Sequence, residues 1–354
     1  MYIAYRKRSQ FVENVTSENS KENFSALINT AIEKSEFSPS GIVLGSVNER
    51  HLLQNIVQAS LVPNIRRVNL HHFSGAGVQG LLYGMQYLNF DIDSKAFLCT
   101  AYSNNEDNFY ENSNQNVSEN DFDYNRDSLD DWANKLAIRD NITLQDQNDY
   151  IETARQKYIK NKITIKKDFL HYSFEDQLRD CVESNHLQNP LQNQFQNHLQ
   201  SFQKKSDHSI CKANFKSTGS AAIMLKKFKQ KNTDAKILGI AEYAGPVSAF
   251  LQSPVFATSK LLNKLKLKKD DVKIFEVSES FVAMPIIFMR AFNLNHDRVN
   301  ILGSSCVVGN VACVSNLHTV MNAILSLEKV GGGIAIAAIS IDDGHSIALA
   351  LSLE

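Results

Sequence analysis

The chain has 354 residues, 37 Lys+Arg against 38 Asp+Glu, and a formal net charge of -1. Hydrophobic content of 43% with 21% charged residues describes an ordinary folded protein, long enough for two domains or one two-part domain, and excludes a disordered one. The near-zero net charge argues against broad electrostatic capture of nucleic acid or acidic membrane, and the longest strongly apolar run, Gly331 to Ile341, is too short to span a bilayer.

The N-terminus (MYIAYRKRSQF) lacks an apolar core of signal-peptide length. Ala26, Leu27 and Ile32 then suit one face of a helix, and Gly41-Ile-Val-Leu-Gly-Ser-Val47 reads as a buried strand. Arg67-Val68-Asn69 leads into small residues (Ser74, Gly75, Ala76, Gly77). A helix follows with Val78, Leu81, Leu82, Met85 and Leu88 at helical spacing, then an apolar strand from Ala96 to Ala101. Residues 103 to about 215 change texture. Asn104 to Asn125 is a polar run that reads as an exposed loop. Ile142 to Lys160 reads as a helix capped by Thr143, with acidic residues ahead of basic ones. Gln188 to Gln203 is rich in Gln and Asn. From about 216 dense apolar alternation returns: a helix over 257–267, a strand Val272 to Val277, and a second Arg-Val-Asn at 298–300. Small residues Gly303, Ser304, Ser305 and Gly309 come next, then a helix with Val314, Leu317, Met321, Ile324 and Leu325, and a strand Ile334 to Ser340.

The order helix, strand, Arg-Val-Asn, small-residue elbow, helix, strand thus occurs twice. Two similar halves built on buried parallel or mixed sheets under helices are expected, with the polar middle inserted into the first half. The five cysteines (Cys99, Cys181, Cys211, Cys306, Cys313) are odd in number and lack CxxC spacing. They read as reduced thiols of a cytoplasmic protein with no metal site and no disulfide framework.

In its motifs the chain resembles the thiolase superfamily, of the acetyl-CoA acetyltransferase type. Ala4-x-Arg6 with Phe11 is similar to the family's A-x-R-T-P…F opening. Ser74-Gly75 sits where the family has its Cys-x-Ser-Gly elbow. Ile142 to Asp149 resembles I-S-R-E-E-Q-D. Asn214 through Gly219-Ser220-Ala221-Ala222 resembles N-A-S-G-x-N-D-G-A-A-A with two residues missing. Ser253-Pro254 with Ala257 resembles G-P-x-x-A, and Ser278-Glu279-Ser280-Phe281 resembles N-E-A-F. Asn300 to Gly309 resembles N-x-x-G-G-A-x-A-x-G-H, and Ser340 to Gly344 resembles C-x-G-G-G.

The resemblance implies an α/β thiolase fold of five layers, αβαβα. Its parts would be an N-terminal half over 1–102, a loop domain over 103–215, a return to the N-terminal half over 216–236 and a C-terminal half over 237–354. It implies coenzyme A or acyl-CoA as ligand with no permanently bound cofactor, and homodimers or dimers of dimers. Dimerisation is expected through the first half, with strand 96–101 pairing across the two-fold axis because it is too apolar for an exposed edge.

The positions that carry thiolase chemistry hold other residues. The acyl-accepting Cys falls on His72, with His71 one residue away. A helix N-terminus that would stabilise a thiolate there favours a neutral imidazole instead. The activating His falls on Asn310, which can donate a hydrogen bond but cannot accept and return a proton. The second Cys falls on Ser340, too weak an acid for α-proton transfer without a base. Ser278 replaces a water-positioning Asn and keeps a hydroxyl. Asp342 and Asp343 replace two glycines, and His345 could pair with either. Cys306 and Cys313 flank the Gly309-Asn310 elbow and read as small buried residues. A Ser74/His72/Asp342 trio can be drawn but carries little weight. Asn214 and Ser217 fall in the segment that resembles the family's pantetheine-facing loop. Lysines such as Lys157, Lys160, Lys227 and Lys264 read as solvated helix faces or phosphate contacts. The expectation is a chain degenerate for thiolysis that still binds acyl-CoA. Two alternatives stand beside it: acyl-CoA transfer or hydrolysis through His72, and an inactive subunit paired with a second thiolase-fold chain.

Overall fold

The structure is a computed structural model, and it describes residues 1–9, 17–35, 38–46, 52, 65–71, 73–103, 129–166, 218–311, 313–342 and 344–354. In chain order these form β1 (Tyr2–Arg8), α1 (Ser17–Glu33), β2 (Gly41–Ser46), β3 (Arg66–Leu70), α2 (Ala76–Phe90), β4 (Ala96–Ser103), α3 (Leu129–Arg139) and α4 (Leu144–Lys166). Then follow β5 (Gly219–Lys226), β6 (Ala235–Ala244), α5 (Ser253–Leu265), β7 (Ile274–Val277), α6 (Ala283–Phe292), α7 (Ser305–Val308), α8 (Val314–Lys329), β8 (Gly333–Asp342) and β9 (His345–Leu353). The polar run 104–125 and the Gln/Asn-rich stretch 188–203 lie outside the described residues.

The strands follow one hydrogen-bonded order, β3-β2-β4-β5-β1-β6-β9-β8-β7. Its two wings repeat one pattern. β2 lies parallel to β4 and to β3, with Val43 opposite Val68 of the first Arg-Val-Asn. β7 lies parallel to β8, and Phe275 bridges in parallel to Val299 of the second Arg-Val-Asn. β4 and β8 each pair antiparallel with the next strand inward, β5 and β9. Strands 96–101 and 334–341 therefore hold equivalent places, as the sequence repeat implies. The wings meet where Tyr2 and Ile3 of β1 pair with Lys236 and Ala235 of β6.

Period-two alternation divides the side chains among three cores. Phe97, Cys99 and Ala101 of β4 join Ala335, Ala337 and Ile339 of β8 around α2 and α8. Ala96, Leu98 and Tyr102 turn the other way onto α1. Ile336 and Ala338 turn onto a core shared by α5, α6, α3 and α4. The layers are α1, the first wing, α2 with α8, the second wing, α5 with α6: the five-layer arrangement. Both faces of each central strand are dry, so β2, β4 and β5 read as unbroken apolar runs rather than alternating ones. α8 is buried nearly all round because helices and sheets enclose it, and each buried Leu or Ile along it contributes roughly 1.5–3 kcal/mol.

One expectation is corrected here. Strand 96–101 is not an edge available to a partner, because β4 is paired on both sides, by β2 and β5. Its apolarity reflects burial between two neighbours and two layers. The edge of the first wing is β3, where Arg66, Arg67 and Asn69 are exposed.

α4 begins where the sequence places it. Thr143 Oγ1 accepts the Asp146 amide at 3.1 Å, and the Asp146 carboxylate accepts the Thr143 amide at 2.8 Å, a reciprocal cap.

Candidate functional site

The C-terminal ends of β4, β7 and β8 and the N-termini of α2 and α8 meet at one end of the molecule. Leaving β7, the Ser278 amide continues the parallel ladder onto the Ala338 carbonyl at 2.9 Å. The Ser278 hydroxyl accepts the Ser340 amide at 2.8 Å. Both side chains are 5% exposed. Two of the expected positions, 278 and 340, are thus brought into direct contact.

The next residue, Glu279, fixes the elbow of the second half. Its Oε1 accepts the Tyr150 hydroxyl and the Asn300 Nδ2, the latter at 2.8 Å, and its Oε2 accepts the Cys306 amide at 2.9 Å. Asn300 sits at φ +47°, a conformation asparagine tolerates better than most residues, and its Oδ1 accepts the Val277 amide at 2.8 Å. α4 adds two further ties: Lys157 Nζ donates to the Val299 carbonyl at 2.8 Å, and Asn161 Nδ2 to the Ile301 carbonyl at 3.0 Å. Lys157 is therefore turned into the fold rather than onto a solvated face, and burial lowers its pKa. Tyr150, Lys157 and Asn161 recur at the seven- and four-residue spacings of one helix face. That spacing was available in the sequence, but the tyrosine, lysine and asparagine read singly as polar.

In the first half, residues 73–75 form a 3-10 turn into α2, and this turn packs against β8 and α8. The Ser74 carbonyl accepts Asn316 Nδ2, from the first turn of α8, at 2.6 Å. A Cβ on Gly77 would lie 2.1 Å from the Cys313 carbonyl oxygen, so only glycine permits this approach of the two helix starts. Asn310 follows Gly309 (φ +95°) in the half-buried segment immediately ahead of α8. Two positive helix ends thus converge, and the turn leading into α2 packs against β8, the strand that carries Ser340; such helix starts favour negative charge. His72, Asn214 and Ser217 lie outside the described residues.

The three described cysteines, Cys99, Cys306 and Cys313, are buried. Cys313 donates to the carbonyls of Gly45 at 3.5 Å and Tyr102 at 3.4 Å. Burial, reinforced by the Glu279 charge, pushes the Cys306 thiol well above its usual range. β8 and β9 form a hairpin in which Asp342 pairs with His345 along the backbone. The His345 ring points to Glu242 Oε2, 3.3 Å away. Gly344 (φ +97°) closes that turn against the Gly245 and Pro246 carbonyls, where a Cβ would come within 2.5 and 2.6 Å. Among the described residues no cluster of His, Cys, Asp and Glu has metal-binding geometry. No helix among them is long and apolar enough to cross a membrane.

This five-layer fold with paired elbows at converging helix ends is the thiolase fold, and comparison with known proteins agrees. Residues 231–353 match the thiolase C-terminal domain family. A probable acetyl-CoA acetyltransferase of Mycobacterium tuberculosis is 28% identical over 141 residues, 38% of this chain and 36% of the relative. An acetyl-CoA acetyltransferase of Synechocystis is 30% identical over 139 residues, 38% of this chain and 35% of the relative. The matched stretch thus spans about a third of the length of these curated relatives. In structure the likeness covers the whole chain. The Acat5 thiolase of Ascaris suum, solved in complex with coenzyme A, superposes with a TM-score of 0.77 at 17% identity, covering 100% of this chain and 99% of that one. Human mitochondrial 3-ketoacyl-CoA thiolase does so at 0.77 and 16%, covering 100% and 98%. Over the whole chain the fold is that of the thiolases, and residues 231–353 match their C-terminal domain family.

Proposed function

We propose that this protein is a relative of the acetyl-CoA acetyltransferases that binds acyl-CoA without carrying out thiolysis. The observation that carries the reading is the state of the described thiols at the elbow. Thiolysis through a covalent intermediate needs an exposed thiolate with a base beside it. Cys306 and Cys313, the cysteines that border the elbow, are 5% and 1% exposed. One is held protonated and the other donates to backbone carbonyls. Ser278, Asn310 and Ser340 supply hydroxyls and an amide, which orient and polarise a thioester carbonyl but do not shuttle a proton near neutral pH. In this reading His72 stands where thiolases carry the acyl-accepting cysteine, and Asn214 and Ser217 belong to the segment assigned to the pantetheine arm. The converging starts of α2 and α8 suit the carbonyl oxygen of a bound acyl group. The protein acts as a homodimer or a dimer of dimers in the cytoplasm, in the metabolism of acyl-CoA. The relatives' names and the coenzyme A complex of the Ascaris thiolase support this ligand class.

Two measurements test it together. Coenzyme A and acetyl-CoA are expected to raise the unfolding temperature, while intact mass after incubation with acetyl-CoA shows no acetyl adduct and no thiolysis of acetoacetyl-CoA is seen. A stoichiometric adduct, or turnover by purified protein, refutes the non-thiolytic reading. No thermal shift refutes the ligand.

A further inference from the structure

The end of the first wing remote from the candidate site carries an unusual tip. The three most exposed large apolar side chains among the described residues are Phe90 at 90%, Ile92 at 88% and Phe228 at 69%. Phe90 ends α2, Ile92 lies in the connection from α2 to β4, and Phe228 lies in the connection from β5 to β6. Lys227 joins the two connections into one body. Its Nζ donates to the carbonyls of Asp91 at 2.5 Å and Ile92 at 3.0 Å, and its amide to the Lys95 carbonyl at 3.1 Å.

The charge around these side chains leans positive. Residues 226–236 hold five lysines, of which Lys226 is buried, against one aspartate, and the other connection carries Lys95 beside the exposed Asp93. The Asp234 carboxylate is spent within its own loop on the amides of Gln230 at 2.8 Å and Lys231 at 3.0 Å. Asp91 likewise accepts the Ser94 hydroxyl, the Tyr87 hydroxyl and the Asp93 amide. Lys229 pairs with the exposed Glu354 at 2.6 Å, a contact that solvent screens.

We propose that this tip is an interfacial anchor for an anionic phospholipid surface. A folded partner rewards a contiguous apolar patch into which side chains pack. Here three large apolar groups stand nearly free of their own protein on two cross-tied loops with ammonium groups around them. That arrangement suits immersion among headgroups and acyl-chain ends, with lysines at the phosphate level. The net charge of -1 supplies no long-range attraction, so attachment needs insertion and the local lysines at once. β4 starts and β5 ends at this tip, whereas the candidate site lies beyond the opposite strand ends. A docked molecule therefore presents Ser278 and Ser340 away from the bilayer.

The test is sedimentation of the full chain with phosphatidylcholine vesicles, with and without roughly one-third phosphatidylserine. Wild type is expected to bind the phosphatidylserine vesicles, and the neutral ones at least about tenfold more weakly. The combined Phe90→Ser, Ile92→Ser, Phe228→Ser variant is expected to lose at least about tenfold on the anionic vesicles. Lys95→Glu with Lys231→Glu is expected to lose binding while keeping the apolar groups. Circular dichroism melts confirm that each variant is folded. Failure of wild type to bind anionic vesicles overturns the proposal, as does binding unchanged in the apolar variant. Self-association of wild type that the apolar variant abolishes also overturns it, and assigns the tip to contacts between copies.

Discussion

The meeting of the two elbows rests on Gly77, and replacing it with alanine measures how tightly they are joined. The added Cβ would lie 2.1 Å from the Cys313 carbonyl oxygen, where ordinary contact begins at 3.4 Å, so the helix start and the turn must part by about 1.3 Å. Neither side gives easily. Cys313 already sits at φ +52°, its thiol is tied to Gly45 and Tyr102, and Asn316 holds the Ser74 carbonyl across the same seam. Overpacking of this kind costs about 1–3 kcal/mol, or more where backbone must move, against a helix-propensity gain of at most about 1 kcal/mol. The net expectation for Gly77→Ala is a loss of about 2 kcal/mol. Gly80→Ala, one turn further along α2, is the internal control. Its Cβ would meet only the Val43 methyls at 3.3 and 3.6 Å, so the propensity gain and the slight crowding cancel within about 0.5 kcal/mol. Urea unfolding of wild type and both variants reads the difference. Coenzyme A binding is expected to weaken in Gly77→Ala alone, since a displacement of about 1 Å at a positioned site can cost on the order of a hundredfold. Equal unfolding midpoints for the two alanine variants would refute the close approach as the reason for glycine.

Three further outcomes are expected. Burial pushes the Glu276 carboxyl up to about 8, against the Ser326 hydroxyl bond and the Lys157 and Arg8 charges that favour ionisation. Because the folded value is raised, its contribution is fully present below the ordinary value of 4.5 and is lost as pH rises toward 8. Glu276→Gln should therefore gain on wild type in denaturant midpoint from pH 5 to 9, and parallel curves would contradict this. Tyr150→Phe leaves Glu279 without one donor and Asn300 without one acceptor, and should lose about 1–2 kcal/mol in chemical unfolding. A change of only a few tenths would show the hydroxyl to be dispensable. Maleimide labelling with peptide mapping should leave Cys99, Cys306 and Cys313 unmodified until the protein is unfolded. Prompt native labelling of Cys306 would remove the observation on which the proposed function stands.

The repeat was legible because each half must bury the same kinds of surface. The two Arg-Val-Asn segments take matching parallel positions beside β2 and β7, and the strands read as apolar runs because both their faces are dry. Strand order was less legible. Apolarity reports burial, and β4 is buried by its neighbours, so its composition could not distinguish a paired centre from an edge awaiting a partner. The direction of Lys157 was hidden for a related reason: its acceptor is a backbone carbonyl 142 positions away, and no side-chain pattern announces a carbonyl. The His345 partner, Glu242, lies on the neighbouring strand β6, while the sequence offered nearer aspartates. At the site, motif order brought out Ser278 and Ser340, whereas the Tyr150–Glu279–Asn300 network needed the fold to bring helix α4 onto the second elbow.

β1 has a consequence for how the chain is made. Its partner along most of its length is β5, more than two hundred residues downstream, and its first residues also seal the seam to β6. On a ribosome, β1 and the inner side of β4 wait for the whole insertion to be synthesised before Lys226 emerges, on the order of ten seconds at ordinary elongation rates. Until then two unpaired strand edges stand open on the nascent chain, the condition under which strands pair with the wrong neighbour. β1 is thus a late-closing clasp, and deleting Tyr2–Arg8 would loosen both wings at once.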